Sequence, residues 1–540
     1  MRGTPRRALV ALATCAFIAV LAPAAGAHQS GATPPKLDWQ PCGEAANIVC
    51  ATATVPLDYD RPNGATIDLH LAKSPATDPA HRLGSMFFNF GGPGGSAADY
   101  LEFFGTDLWP AFNTRYDIIA MDPRGVGQSE PSIDCKANQE TEGIYSQPFT
   151  TPDNLDPRAL VAKDTKYINK CVSLNKTILP HVSTANVARD MDLLRKSLGE
   201  NKLNYFGYSY GTFLGATYAS LFPKNYNRMV LDGPVDATDY INDPLADLSS
   251  QSDGFERAFG RFFQACARDQ VACSGFGGAD PWDAYDQLLD KANETPIPAG
   301  GPDPRPVDGD DINFAATGEI YAKQFWGELA AALAAAANNN DGTALRQLVD
   351  DSYGLLDDGT FDPGTDRYFT IGAIEQRYPR ADVPLYLRAG KRSWSEHEHT
   401  WWNNGYAELN YGLWPIHDKD AFGGPFKIPS SSPTPLVVAT TYDPATPYRG
   451  AKSLVRDLGN ARLITMRGDG HTAYPGNSPC IDSAVEAFMN DGTLPAAGTK
   501  CVQNVPFTAP AAAPAAKSLA VRTLVNLQPR LHSKPLPQLP

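Results

Sequence analysis

The segment LNYFGYSYGTFLGATYASLF, residues 203–222, decides the fold. It opens with a short β-prone run, turns through Gly207-Tyr208-Ser209-Tyr210-Gly211, and continues into a helix-prone stretch. A serine flanked by glycines between a strand and a helix is the signature of a sharp turn that lifts the hydroxyl above the end of a parallel sheet. Glycines on either side spare the turn the crowding that side chains would cause. The G-x-S-x-G pattern alone is common by chance; its strand-to-helix setting makes Ser209 the candidate nucleophile.

Working outward, further β-prone runs alternate with helix-like stretches, which predicts a mainly parallel α/β sheet. The expected strands are 85–90 (SMFFNF), 116–121 (YDIIAM), 203–206, 228–231 (RMVL), 435–441 (PLVVATT) and 461–466 (ARLITM). Apolar positions in 184–198 recur at helical spacing, and Gly199 stops that helix. The series is interrupted once, from Asp236 to Pro429, by a stretch rich in helix formers. It contains Trp282, Trp326, Trp394, Trp401, Trp402 and Trp414. The expected organisation is a leader over 1–27, a core in two parts over 28–235 and 430–505, a helical cap insertion over 236–429, and a Pro/Ala-rich tail over 506–540.

A serine hydroxyl needs a base, and the base needs an orienting carboxylate. In this kind of sheet the chain order is Ser, then Asp or Glu, then His. His471 lies just after the strand 461–466, and Asp443 just after the strand 435–441; Asp469 is the rival carboxylate. Upstream, Phe90-Gly91-Gly92-Pro93-Gly94-Gly95-Ser96 follows a strand and can aim backbone N–H groups at a substrate carbonyl. Tyr210 and Gly92 are the expected oxyanion donors. The loop lacks G-K-[ST] and G-x-G-x-x-G, which argues against phosphate. Asp122 to Ser129 reads as a strand-exit turn held by an Asp/Arg pair. Glu396-His397-Glu398-His399 reads as a solvated polar face in preference to a metal pair.

The chain has 540 residues and a formal net charge of −14. An acidic surface repels phosphate backbones and anionic lipid, so nucleic acid is not an expected partner. Arg2, Arg6 and Arg7, an apolar run over 8–22 and Ala25-Gly26-Ala27 read as an export signal with cleavage near His28. The run is shorter than a spanning helix requires. Of nine cysteines, Cys15 leaves with that signal. The remaining eight fall into the local couples Cys42–Cys50, Cys135–Cys171, Cys266–Cys273 and Cys480–Cys501, a preferred pairing among 105. No C-x-x-C occurs, so no metal is expected, and no cofactor is called for.

GGPGGS (91–96), DPRGVGQS (122–129), GYSYGTFLGATYA (207–219), YDPATPYRGA (442–451) and GDGHTAY (468–474) occur in order. Together they resemble the prolyl iminopeptidase and tripeptidyl aminopeptidase family of α/β-hydrolases, with the closer likeness to secreted Streptomyces-type tripeptidyl aminopeptidases. The resemblance implies the triad Ser209, Asp443 and His471, a helical cap, and peptide substrates with a free N-terminus whose ammonium is held by cap acids. Glu319, Glu328 and Glu375 are the candidates for that contact. It also implies a secreted enzyme without stable membrane insertion, and a monomer is expected. Phe90 stands where prolyl iminopeptidases carry histidine, and AIEQRYPR (373–380) lacks the cysteine and aspartate expected of close tripeptidyl relatives. A carboxylesterase using the same triad is the alternative.

Overall fold

The computed structural model describes residues 31–508 apart from 147, 148, 150, 302 and 303. The leader and residues 509–540 of the tail lie outside the described residues. Ten strands form one sheet: β1 (Gln40–Pro41), β2 (Val49–Pro56), β3 (Thr66–Ser74), β4 (Gly84–Asn89), β5 (Tyr116–Met121), β6 (Leu203–Tyr208), β7 (Tyr226–Asp232), β8 (Leu436–Tyr442), β9 (Arg462–Asp469) and β10 (Lys500–Val502). Their spatial order is β1-β2-β3-β5-β4-β6-β7-β8-β9-β10. From β5 to β10 all neighbours are parallel, and β1, β2 and β3 add an antiparallel edge. This is the α/β-hydrolase fold with flanking helices.

The central strands are apolar throughout because both faces are covered. Every residue of β4 is buried, with Phe87 facing one core while Met86 and Phe88 face the other. Strands β1, β2, β3 and β10 have no counterpart among the expected strands; β2 alternates buried and exposed residues, as a half-covered strand should. The expected strands appear with ends shifted by at most three residues, and 116–121 coincides with β5. The eight cysteines form Cys42–Cys50, Cys135–Cys171, Cys266–Cys273 and Cys480–Cys501 disulfides. No helix among the described residues is long and apolar enough to cross a membrane.

Three helices matter for the site: α1 (Ala97–Phe104) after the glycine loop, α2 (Thr184–Ser197), and α3 (Tyr210–Leu221) after Ser209. Between β7 and β8 the named elements are all helical. That stretch is not a single packing unit. Residues between Phe255 and Tyr353 enclose their own apolar core, whereas residues from Phe369 to Ile428 share a core with α2 and α3. The segment is therefore anchored on the sheet domain through its second half.

The turn after β5 differs from the expected Asp/Arg pair. Arg124 forks onto Asp190 of α2, with two nitrogens each 2.7 Å from a carboxylate oxygen. Asp122 instead accepts from Ser96 Oγ, Ala98 N–H and Gln128 N–H at 2.7–3.1 Å, so it holds the exit of the glycine loop. Both side chains are fully buried, and each satisfies the need for partners through a different element.

Candidate active site

From Leu203 to Ala219 every residue is buried except Ser209. Ser209 sits at φ 54°, ψ −125°, a backbone conformation rare for a residue with a side chain. The turn is crowded on the side of the glycine loop: a Cβ on Gly211 would meet the Asn89 carbonyl at 2.6 Å. One on Gly91 would meet Ser209 Cβ at 3.0 Å and Tyr210 N at 3.1 Å. The loop 91–95 therefore lies directly on the serine turn. Tyr210 N–H is in the first turn of α3, where no intrahelical acceptor exists and the helix dipole favours negative charge.

His471 follows β9 and is 2% exposed. Its Nδ1 lies 3.0 Å from both carboxylate oxygens of Asp443 and 3.3 Å from Thr446 Oγ1. A carboxylate only accepts, so Nδ1 carries the proton and Nε2 of the neutral ring presents a lone pair. That Nε2 is buried and has no hydrogen-bond partner among the described residues. Asp443 also accepts from Ala445 N–H, Thr446 N–H and Thr446 Oγ1 at 2.8–3.0 Å. The rival Asp469 points elsewhere: it pairs with Arg261 and lies 3.9 Å from Lys323.

Two cavities meet at Ser209. The larger, about 220 Å³, has Ser209 and His471 in its lining and aromatic walls that include Tyr145, Phe255, Phe314, Tyr368 and Trp402. The smaller, about 90 Å³, shares Gly92 and Ser209 with it and is lined by Asp236, Asp239 and Asp247. Burial, together with the nearby charges of Asp236 and Asp239, pushes the Asp247 carboxyl up to about 7; Arg449 opposes the shift. These aspartates had no motif to mark them. Asp236 and Asp247 sit at and near helix N-termini, where acidic residues serve as ordinary caps.

The glutamates expected to meet an ammonium group need correction, because none of the three lines either cavity. Glu319 is buried at the end of its helix, and Glu328 lies in the first turn of the helix Trp326–Asn339. Glu375 accepts from Thr184 N–H at 2.9 Å, Thr184 Oγ1 at 3.0 Å and Tyr240 OH at 3.3 Å. Thr184 Oγ1 in turn shares a short hydrogen bond with Tyr210 OH. Burial pushes Glu375 up to about 7. It braces the residue after Ser209 from behind.

The expectation for residues 396–399 also needs correction: His397 and His399 are buried, at 3% and 5% exposure. His399 Nδ1 lies 3.3 Å from Glu256 and Nε2 3.0 Å from Asp286. Burial alone would lower its pKa, but the two carboxylates outweigh it and raise it to about 9. Asp286, Glu398 and His399 come close enough to share a cation. Through Glu256 on one helix and Asp286 on the next, His399 clamps the two together.

Two family models match the chain: one described as TAP-like protein over residues 407–501, the other as alpha/beta hydrolase fold over residues 85–291. Serine protease Hip1 of Mycobacterium tuberculosis is 30% identical over 86% of this chain and 91% of its own length. The tripeptidyl aminopeptidase of Streptomyces lividans is 30% identical over 86% of each chain. Carboxylesterase B of Mycobacterium tuberculosis is 32% identical over 88% of this chain and 92% of its own.

Proposed function

The chain is a serine hydrolase belonging to the α/β-hydrolase family that includes the Streptomyces tripeptidyl aminopeptidases and Hip1, and we propose that it is an exported exopeptidase that frees short peptides, tripeptides first among them, from unblocked N-termini. The observation that carries this reading is the strained, partly open Ser209 on a cavity that also contains His471, whose Nδ1 rests on Asp443.

Ser209 Oγ attacks the scissile carbonyl while His471 Nε2 takes its proton. Asp443 holds the imidazole in the required tautomer and stabilises the charged ring. The oxyanion is met by the N–H groups of Tyr210 and Gly92, aided by the N-terminus of α3. His471 then returns the proton to the leaving amine, water enters, and the acyl-enzyme is hydrolysed. The acidic recess of Asp236, Asp239 and Asp247 receives the substrate ammonium in place of the glutamates first considered. The aromatic cavity is larger than the roughly 150 Å³ that accepts a benzene ring, so it admits bulky apolar or prolyl side chains. Four disulfides support an exported protein, with residues 1–27 as its leader and 236–429 as the cap over the site.

The test is turnover of Ala-Pro-Ala-p-nitroanilide, its N-acetylated form and p-nitrophenyl butyrate, with Ser209→Ala as control. The expected result is release from the free tripeptide and none from the acetylated one. Ester cleavage with neither peptide turned over would move the assignment to a carboxylesterase, the activity named for one relative.

A further inference from the structure

Asp232, the last residue of β7, is fully buried and bonds the main chain of Ser209 and of the two residues that follow His471 and Thr472. Its main-chain carbonyl accepts the Ser209 N–H at 3.0 Å. Its carboxylate accepts the N–H of Ala473 at 3.0 and 3.1 Å and that of Tyr474 at 2.8 Å. Those two residues follow His471 and Thr472. Thr472 has φ +65°, a left-handed conformation that a β-branched side chain resists. Such a conformation persists only where its surroundings over-determine it. Here two carboxylates do so: the Thr472 N–H lies 3.4 Å from Asp443, and the next two N–H groups face Asp232. Beyond them the Tyr474 ring stacks against Trp109 and Phe112, which fixes the far end of the turn.

We propose that Asp232 is a positioning residue for hydrolysis: it locks the backbone turn that carries His471 and ties that turn to the strained turn of Ser209. The division of labour is then between two acids, Asp443 setting the imidazole ring and Asp232 setting the main chain from which the ring projects. This rests on reading Ser209 and His471 as the reacting pair. A carboxylate suits the task because it accepts at both oxygens and its bonds to N–H groups are charge-assisted. Asparagine would offer one acceptor and turn an NH₂ against amide donors. The charged and titratable groups that face Asp232 are His471 after β9, Asp443 after β8 and the Tyr208 phenol from β6. Burial pushes its carboxyl up to about 7, against the pull of the Tyr474 and Ala473 amides and of His471. As pH falls through that value, one of the two oxygens becomes a hydroxyl while the other still accepts, so the charge-assisted grip on the turn weakens.

The experiment compares wild type, Asp232→Asn, Thr472→Gly and the double variant on the free tripeptide anilide and on p-nitrophenyl butyrate from pH 5 to 9. With a turn misplaced by a fraction of an ångström, kcat in Asp232→Asn should fall about 10- to 100-fold on both substrates with KM little changed. The acid limb of its kcat/KM profile should lose the protonation that Asp232 contributes in wild type. Glycine at 472 removes the resistance Asp232 works against, so the double variant should recover several-fold in kcat over Asp232→Asn. If Asp232→Asn does not accumulate folded, the double variant against Thr472→Gly carries the same comparison. A kcat and pH profile equal to wild type, with only the melting temperature lowered, would overturn the proposal. Turnover near the wild-type level in Ser209→Ala or His471→Ala would instead strike the underlying triad reading.

Discussion

At the carboxyl ends of β6 to β9, Ser209, Asp232, Asp443 and His471 are held by hydrogen bonds to main chain and to one another. The walls that the helical segment between β7 and β8 lends to the same space are different. They are aromatic rings set by packing, plus an acidic recess whose like charges disfavour one another. The first region has one geometry, because every donor and acceptor limits the others. The second has a shape and a charge, and both survive many exchanges of side chain. Under the proposed function, bond making falls to the first region and the choice of substrate to the second, so lesions in the two should separate cleanly in kinetics.

The largest effects come from the strand ends. Ser209→Ala or His471→Ala should lower kcat about 10⁶-fold, and Asp443→Asn about 10⁴-fold, because the asparagine favours the wrong imidazole tautomer. The losses should be equal on peptide and ester substrates, measured side by side. An Asp443→Asn enzyme that hydrolysed the ester normally would break the separation.

Next in size is the acidic recess. Asp247→Asn should raise KM for free-amine peptides roughly 10- to 30-fold, since a recess open to water screens part of the attraction to an ammonium group. Turnover of p-nitrophenyl butyrate should stay at the wild-type level. A parallel loss on the ester would show that the insertion shapes the reacting groups as well as reading the substrate.

The same separation explains what the sequence discloses. Ser209 is legible because only one local solution, a glycine-flanked strand-to-helix turn, presents a hydroxyl there. Asp443 and His471 are legible because strand order fixes where their loops emerge. Glu319, Glu328 and Glu375 were drawn from charge alone, and charge does not tell which way a helix faces. Glu375 turns inward to Thr184 and Tyr240. His399 read as part of a solvated face because its partners, Glu256 and Asp286, lie on segments far away in sequence. Asp232 had a local signal: an acid that ends the apolar run Met229 to Leu231 must be buried with partners or carry out a task.

The smallest expected effect concerns stability, and it is carried by buried acids in both the helical segment and the sheet domain. Burial raises Asp247, Asp311 and Glu375 to about 7 and Asp310 to about 6, with Asp232 at about 7 on the sheet side. In the unfolded chain such groups titrate near 4. Between roughly pH 4.5 and 7 the folded protein therefore binds more protons than the unfolded one, and stability falls as pH rises. His399 adds to the slope: raised to about 9, its contribution is full below its unfolded value near 6.5 and is lost as pH climbs through 9. In the other direction, Glu256, Asp192 and Glu142 are lowered, so their contribution is present at neutral pH and is lost as pH falls below about 4. The melting temperature should peak near pH 4.5–5 and decline steadily towards pH 9. Glu375→Gln keeps an acceptor for Thr184 without a charge to bury, so it should flatten the decline between pH 5 and 7 while leaving the acid side unchanged. A calorimetric series that rose from pH 5 to 7 in wild type would mean these carboxyls are solvated, and the insertion looser than its packing implies.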